Sequence, residues 1–237
     1  MLDVRNIAFT YRAKPVLRDV SFVVSPGEAV CVVGANGAGK TTLLRVLATL
    51  AAADSGKVLM DGRDALAQPL KYRRQLGYLS ETAPLYDDLT VRGFLRYRAQ
   101  LKGEPDKRIR RRIDEAVELC RLGAHLRAPL RSLSFGLRKR VALADAVLLR
   151  PRVLLLDDFL SGLDREMRDI AGEALSTAAS FSCAIVTGHD IADLARWATR
   201  FLVLRDGVIA ATVPTAGVEH RVLVDRVAAA VRGGAPS

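Results

Sequence analysis

Cysteine is scarce in this chain of 237 residues. Cys31, Cys120 and Cys183 lie far apart, form no CxxC pair and are odd in number. Neither a disulfide scaffold nor a zinc ribbon is expected, and a reducing compartment fits better. Glycine (18) and proline (9) are too few for a collagen-like or low-complexity chain. No uncharged apolar run reaches the roughly 18 residues of a membrane span; the longest candidate, Val141 to Leu160, is broken by Asp145, Arg150, Arg152, Asp157 and Asp158. The opening stretch MLDVRNIAFTYRAK holds no apolar core, so no signal peptide is expected. The chain is not expected to cross a membrane by itself, while a position against one stays open. Acidic residues are outnumbered, 26 Asp and Glu against 36 Lys and Arg, a net charge of +10. A strongly acidic binding tail is thereby excluded, and phosphate-bearing ligands, nucleic acid and anionic lipid stay open as partners.

Apolar residues make up 50% of the sequence and mean hydropathy is +0.14, enough to bury a sizeable core in one large domain or two small ones. Short apolar runs separated by turn signals predict strands at Val16–Val24, Ala29–Val33 and Lys57–Met60. From about Tyr86 to Leu149 the pattern is helical, with amphipathic stretches at 89–99, 107–122 and 134–149. In the last of these Leu137, Val141, Ala144 and Leu148 share one face. Strand character returns at Arg152–Leu156, Ser182–Val186 and Phe201–Leu204. The order predicts an α/β core with a helical insert, not two independent domains. The tail 232–237 is expected to fray.

Gly34-Ala35-Asn36-Gly37-Ala38-Gly39-Lys40-Thr41 matches GxxxxGK[ST]. Glycines allow a tight loop whose N–H groups converge on phosphate oxygens, Lys40 neutralises the outer phosphates, and Thr41 offers a hydroxyl to Mg²⁺. A buried strand precedes the loop. A helix predicted over Thr42–Leu50 follows and adds its N-terminal dipole. The second half of such a site is an acidic residue ending a buried strand, and Asp157 after Val153–Leu156 supplies it for Mg²⁺. Asp158 follows, where a carboxylate can polarise an attacking water; a helix-capping role for the pair is the plainer reading.

These residues, with others in order along 2–213, resemble the nucleotide-binding subunits of ATP-binding-cassette (ABC) transporters. Leu133-Ser134-Phe135-Gly136-Leu137 is similar to the family's LSGGQ signature, Ser161-Gly162-Leu163-Asp164 to its D-loop, and His189 to its switch histidine. Tyr11 stands where the family stacks an aromatic on adenine, and Gly77–Glu81 where its Q-loop leads into the helical insert. The resemblance implies a P-loop NTPase fold: a RecA-like core with an antiparallel β subdomain (1–80 and 151–213), a helical subdomain (81–150), and a C-terminal helix and flexible tail (214–237). It implies ATP and Mg²⁺ as cofactors. Asp158, His189, Glu81 and Lys40 are then the catalytic set, and Thr41, Asp157 and Glu81 the metal set. The nucleotide contacts are Tyr11, Gly34 to Thr42, Ser134, Gly136 and Asp164. It further implies head-to-tail pairing with a second copy or a paralogous subunit, under a separately encoded transmembrane permease at the inner face of the plasma membrane. Glu81 is a change that the family's exporter-type members sometimes carry, and a bacterial exporter-type system is the expectation.

Four positions depart from the family pattern. Asp158 replaces Glu and is one methylene shorter, which implies slow hydrolysis. Glu81 replaces Gln. Phe135 and Leu137 replace Gly and Gln in the signature, where Phe135 either tightens or hinders a dimer seam. Phe159 replaces Pro. Ser134 is expected to cap the following helix, and Gly136 to leave room for close backbone approach. The alternatives are a non-transport ABC ATPase with a soluble partner, or a regulatory subunit that binds ATP and barely hydrolyses it. His189 is read as a γ-phosphate contact over a buried structural histidine, His125 and His220 as surface residues, and Trp197 as helix packing. The basic run 107–112 precedes Asp114, Glu115 and Glu118 at helical spacing and carries no interleaved aromatics. It reads as a solvated, ion-paired helix or a membrane-facing surface, and no nucleic acid is expected.

Overall fold

A computed structural model describes residues 1–233; the end of the tail expected to fray, 234–237, lies outside the described residues. Two sheets carry the chain. An antiparallel sheet of order β2-β1-β4-β5 is built from β1 (Leu2–Tyr11), β2 (Lys14–Val24), β4 (Ser55–Met60) and β5 (Arg63–Asp64). The second has order β10-β9-β3-β8-β7-β6, from β3 (Ala29–Val33), β6 (Leu76–Leu79), β7 (Val153–Leu156), β8 (Cys183–Thr187), β9 (Arg200–Arg205) and β10 (Val208–Pro214). Its strands pair in parallel except β10, which turns back antiparallel on β9.

The continuous apolar runs are explained by burial on both faces. In β3, Ala29, Cys31 and Val33 join the core under the helical layers, while Val30 and Val32 join a second core shared with the antiparallel sheet and α1 (Lys40–Leu47). Alternate residues of β7 and β8 divide the same way, as strand periodicity requires. The α/β core, antiparallel sheet and helical insert expected from the sequence are all present.

The insert comprises α3 (Val91–Leu101), α4 (Asp106–Leu119) and α5 (Phe135–Val147). Thr90 caps α3 by accepting the Gly93 amide at 3.1 Å. On α4 the basic run meets acids as read: Arg110 with Asp114 (3.9 Å), Arg111 with Glu115 (3.5 Å), and Arg112 with both Glu115 (3.3 Å) and Glu104 (3.4 Å). Three expectations are corrected. Helix α1 ends at Leu47, because Thr49 turns to φ +57°, which leaves Leu50 exposed. Helix α4 stops at Leu119, with Arg121 left-handed at φ +50°. Helix α5 is buried from Lys139 through Val147, not along a single face, because it runs between the insert and the sheet. There Gly77 of β6 admits it so closely that a Cβ would lie 2.1 Å from the Ala146 carbonyl oxygen.

Helices α2 (Pro69–Arg73), α6 (Arg165–Ala179), α7 (Ile191–Leu194) and α8 (His220–Arg232) complete the chain. Trp197 is a packing residue, as expected: its indole occupies the space that a side chain at Gly172 of α6 would take. Among the described residues all three cysteines are buried and unbridged, and no helix is long and apolar enough to cross a membrane.

Candidate functional site

The loop 34–39 joins the end of β3 to the start of α1. Two glycines are required by geometry. A Cβ on Gly34 would lie 2.2 Å from the Leu204 carbonyl oxygen, and Gly39 holds φ +103° against Leu17 and Val16. Gly39 stands at the N-cap of α1 and supplies no side-chain acceptor. The first-turn amides of Lys40, Thr41 and Thr42 are therefore available to an anion at the positive end of the helix. Lys40 is 8% exposed, and its ammonium donates to the carbonyls of Gly34 (2.8 Å) and Ala35 (3.0 Å). Burial pulls its pKa down, opposed by the nearby carboxylates of Asp158 and Asp157.

Asp157 ends β7 at 2% exposure. Its Oδ1 accepts from the Thr41 hydroxyl at 3.2 Å and from the Thr187 hydroxyl at 2.6 Å, while its buried Oδ2 has no partner. A buried carboxylate oxygen left unpaired is costly unless something binds it. Mg²⁺ suits this donor set, since it prefers one or two carboxylates plus waters and phosphate oxygens to an all-protein cage. Thr41, Asp157 and Glu81 line one cleft of about 580 Å³ with Tyr78, Tyr86 and Arg98, in which Thr41 and Asp157 are hydrogen-bonded to each other.

Asp158 lines a second cleft, while its carboxylate still acts on Lys40 through space. It lies with His189, Thr187, Ser161, Gly162 and Arg168 on a smaller cleft of about 190 Å³. Asp158 and His189 are thus brought together, and His189 is exposed rather than a core histidine. Asp190 does not support His189: its carboxylate caps α7 through the Asp193 amide (3.1 Å) and pairs with Arg168 (3.1 Å). Asp158 takes φ +47°, and its amide donates to the Thr187 hydroxyl at 3.0 Å. Thr187 therefore bridges both acids. The reading of the sequence missed it, although a hydroxyl closing the apolar strand 184–186 was a visible signal. Phe159, a departure without a sequence explanation, is a core residue at 2% exposure.

The remaining residues stand apart. Ser134 caps α5 as expected, its hydroxyl accepting the Leu137 amide at 3.3 Å. Gly136 is not crowded within the chain, since a Cβ there would meet Met167 at an ordinary 3.5 Å. Asp164 spends its carboxylate on capping α6, accepting the Met167 amide at 2.8 Å. Neither Ser134 nor Gly136 lines the clefts that hold Thr41, Asp157 and Asp158. Tyr11 is exposed at the end of β1, with Arg12 5.5 Å over its ring. The outer loop residues Ala35, Asn36, Gly37 and Ala38 line a third cleft with Lys14, Pro15 and Val16, which Tyr11 does not enter.

A glycine loop opening a helix, beside a buried carboxylate at the end of a parallel strand, defines a P-loop NTPase fold. The chain belongs to the ABC transporter family, whose sequence pattern matches residues 17–161. It is 33% identical to the Fe(3+) ions import ATP-binding protein FbpC of Streptomyces coelicolor, over 89% of this chain and 61% of that one. It is 31% identical to the spermidine/putrescine import ATP-binding protein PotA of Pasteurella multocida, over 88% and 57%. The chain thus spans about three-fifths of the length of these curated relatives. A solved ATP-binding subunit of an ABC transporter superposes with a TM-score of 0.83 at 29% identity, covering 99% of this chain and 95% of that one. The bacterial cassette MJ0796, solved as a dimer, shares the fold with a TM-score of 0.83 at 24% identity. These relatives are named for import, so the exporter-type expectation gains no support from them.

Proposed function

We propose that this chain binds Mg-ATP and hydrolyses it, as the motor subunit of a transporter whose permease is a separate chain. The observation that carries this reading is Asp157: its buried Oδ2 is unpartnered while Oδ1 accepts from the P-loop hydroxyl of Thr41. Thr41 and Asp157, with Glu81 at the same cleft, would hold Mg²⁺, which would supply charge stabilisation for phosphoryl transfer. Lys40 and the first-turn amides of α1 hold the β- and γ-phosphates. Asp158 orients the attacking water and His189 contacts the γ-phosphate from the same cleft. Tyr11 stacks on the base. Ser134, Gly136 and Asp164 act on the nucleotide of a second copy or a paralogous subunit, which accounts for their not lining the clefts of this chain's own acids. Losing the γ-phosphate removes the ligand shared by the pair and opens it.

The segment 82–94 borders the large cleft with Leu85, Tyr86 and Phe94 and is the dock proposed for the permease at the inner face of the plasma membrane. The working division is a core of 1–80 and 151–213, a helical subdomain of 81–150 and a C-terminal extension from 214. Nucleic acid has no part in this reading.

Purified protein is expected to turn over Mg-ATP and to form ATP-dependent dimers in light scattering, with turnover lost in Lys40→Ala. Absence of nucleotide binding in the parent chain would overturn the reading. A second reading, a subunit that binds ATP and scarcely hydrolyses it, is favoured by the short Asp158 side chain and by the exposed Phe135 ring. Near-normal turnover by the homodimer would exclude it.

A further inference from the structure

Lys139 lies in the second turn of α5, five residues after the Ser134 cap, and is only 5% exposed. A lysine is rarely buried so far unless its ammonium is well satisfied. Here Nζ donates to the Asp158 carbonyl at 3.0 Å and to the Ser161 carbonyl at 2.7 Å. Those oxygens belong to one tight turn, in which the Ser161 amide also donates to the Asp158 carbonyl at 3.3 Å. The turn begins at Asp158 in the left-handed region, where a non-glycine residue sits at an energetic cost. The carboxylates of Asp158 and Glu81 act on the same ammonium through space.

Phe135 closes the arrangement from outside. The Lys139 ammonium lies 5.4 Å from the centroid of its ring, within cation–π range. The same ring lies over Gly162 so closely that a Cβ there would be 2.7 Å from Cε1. Gly162 also holds φ +72°, so both its backbone and its neighbour require glycine.

We propose that Lys139, covered by Phe135, is a positioning residue that holds the Asp158–Gly162 turn in register with the start of α5 in the same chain. The Asp158 carboxylate that serves this chain's own nucleotide is thereby tied to Ser134 and Gly136, the residues offered to the paired subunit's nucleotide. Displacement of one half-site is passed to the other through this buried cation and its Phe135 cover. The inference rests on the ATPase reading above and adds a residue to it.

The test uses the full chain with Lys139→Met, which keeps the length and removes the donors, Lys139→Arg, which keeps the cation, and Phe135→Ala. Amide hydrogen exchange over 158–163 is measured without nucleotide, and kcat and KM for Mg-ATP are measured beside it. Lys139→Met is expected to speed exchange in this segment on the order of tenfold. It is also expected to lower kcat on the order of tenfold, with KM changed by less than about twofold, because a misplaced base affects the chemical step. Lys139→Arg recovers both. Phe135 is 59% exposed, so its removal leaves the fold intact and gives the same effects more weakly, should Lys139→Met fail to fold. Unchanged exchange, or a rise in KM alone, overturns the proposal. If the parent chain shows no turnover, the ATPase reading falls and exchange alone decides whether Lys139 holds the turn.

Discussion

In the proposed mechanism, Asp158 is the residue expected to limit the rate. It stands where the family carries glutamate, and its carboxylate is one methylene nearer its own backbone. That backbone is held at φ +47° by the Thr187 hydroxyl and the Lys139 ammonium, so the main chain is not free to make up the lost reach. A shortfall of about 1 Å in a catalytic group costs up to about 10²-fold in rate. Asp158→Glu is therefore expected to raise kcat by as much as about 10²-fold while leaving KM for ATP nearly unchanged, read by steady-state turnover. Unchanged kcat would mean that Asp158 does not orient the water. The roles proposed for the two acids follow their burial: Asp157 is enclosed with one oxygen unpaired, whereas Asp158 lines the cleft with His189.

Elements pack here through contacts that residue preferences alone misjudge. Gly172 lies inside α6, and helix propensity favours alanine over glycine by about 1 kcal/mol at such a site. The structure reverses the sign, because a Cβ at Gly172 would fall 2.1 Å from Cε2 and 2.4 Å from Nε1 of Trp197. Overpacking of this kind costs roughly 1–3 kcal/mol. Gly172→Ala is expected to lower the urea midpoint, and Trp197→Leu in that background to recover part of the loss. A rise in stability for the single variant would show that the indole moves aside freely. Helix α5 gives the complementary lesson. Its sequence suggested one apolar face, yet Lys139, Arg140 and Asp145 are buried with it. Arg140 donates to the Cys120 carbonyl at 2.9 Å, and Asp145 pairs with Arg98 at 2.9 Å. Charges at those positions masked a helix enclosed on all sides from Lys139 through Val147, because pattern reading counts a charged residue as exposed.

Across the whole molecule, buried thiols contribute to the response to alkali in the same sense as the phenols of Tyr72 and Tyr78, which burial also pushes up. Burial pushes Cys31 and Cys120 up to about 12 from an ordinary 9.0. The folded chain therefore keeps two protons that the unfolded chain releases above pH 9, and the stability they contribute is lost as pH rises from 9 to about 12. The slope is at most about 1.4 kcal/mol per pH unit for each thiol. Lys40, Lys102 and Lys139 act in the opposite sense, because burial lowers their pKa. They favour folding as pH rises toward the ordinary lysine value of 10.5. Replacing both cysteines with alanine isolates the thiol part. The double variant is expected to lose less stability between pH 9 and 12 than the parent in urea titrations, and an identical decline in both would refute the assignment.

Local chemistry made much of this molecule legible in its sequence. The loop 34–41, the buried strand 153–156 ending in Asp157, and the Ser134 cap each depend on residues that are neighbours along the chain, so spacing alone located them. The α/β order with its helical insert followed from periodicity for the same reason. Tertiary structure decided what depends on distant segments meeting. It joined Thr41 and Thr187 to Asp157, placed Asp157 and Asp158 on different clefts, and used the Asp190 and Asp164 carboxylates as helix caps. It also buried Lys139 under Phe135. A side chain's neighbours on other strands and helices fix its hydrogen-bond partners and its solvation, and those neighbours exist only once the sheet has brought the ends of β3, β7 and β8 side by side.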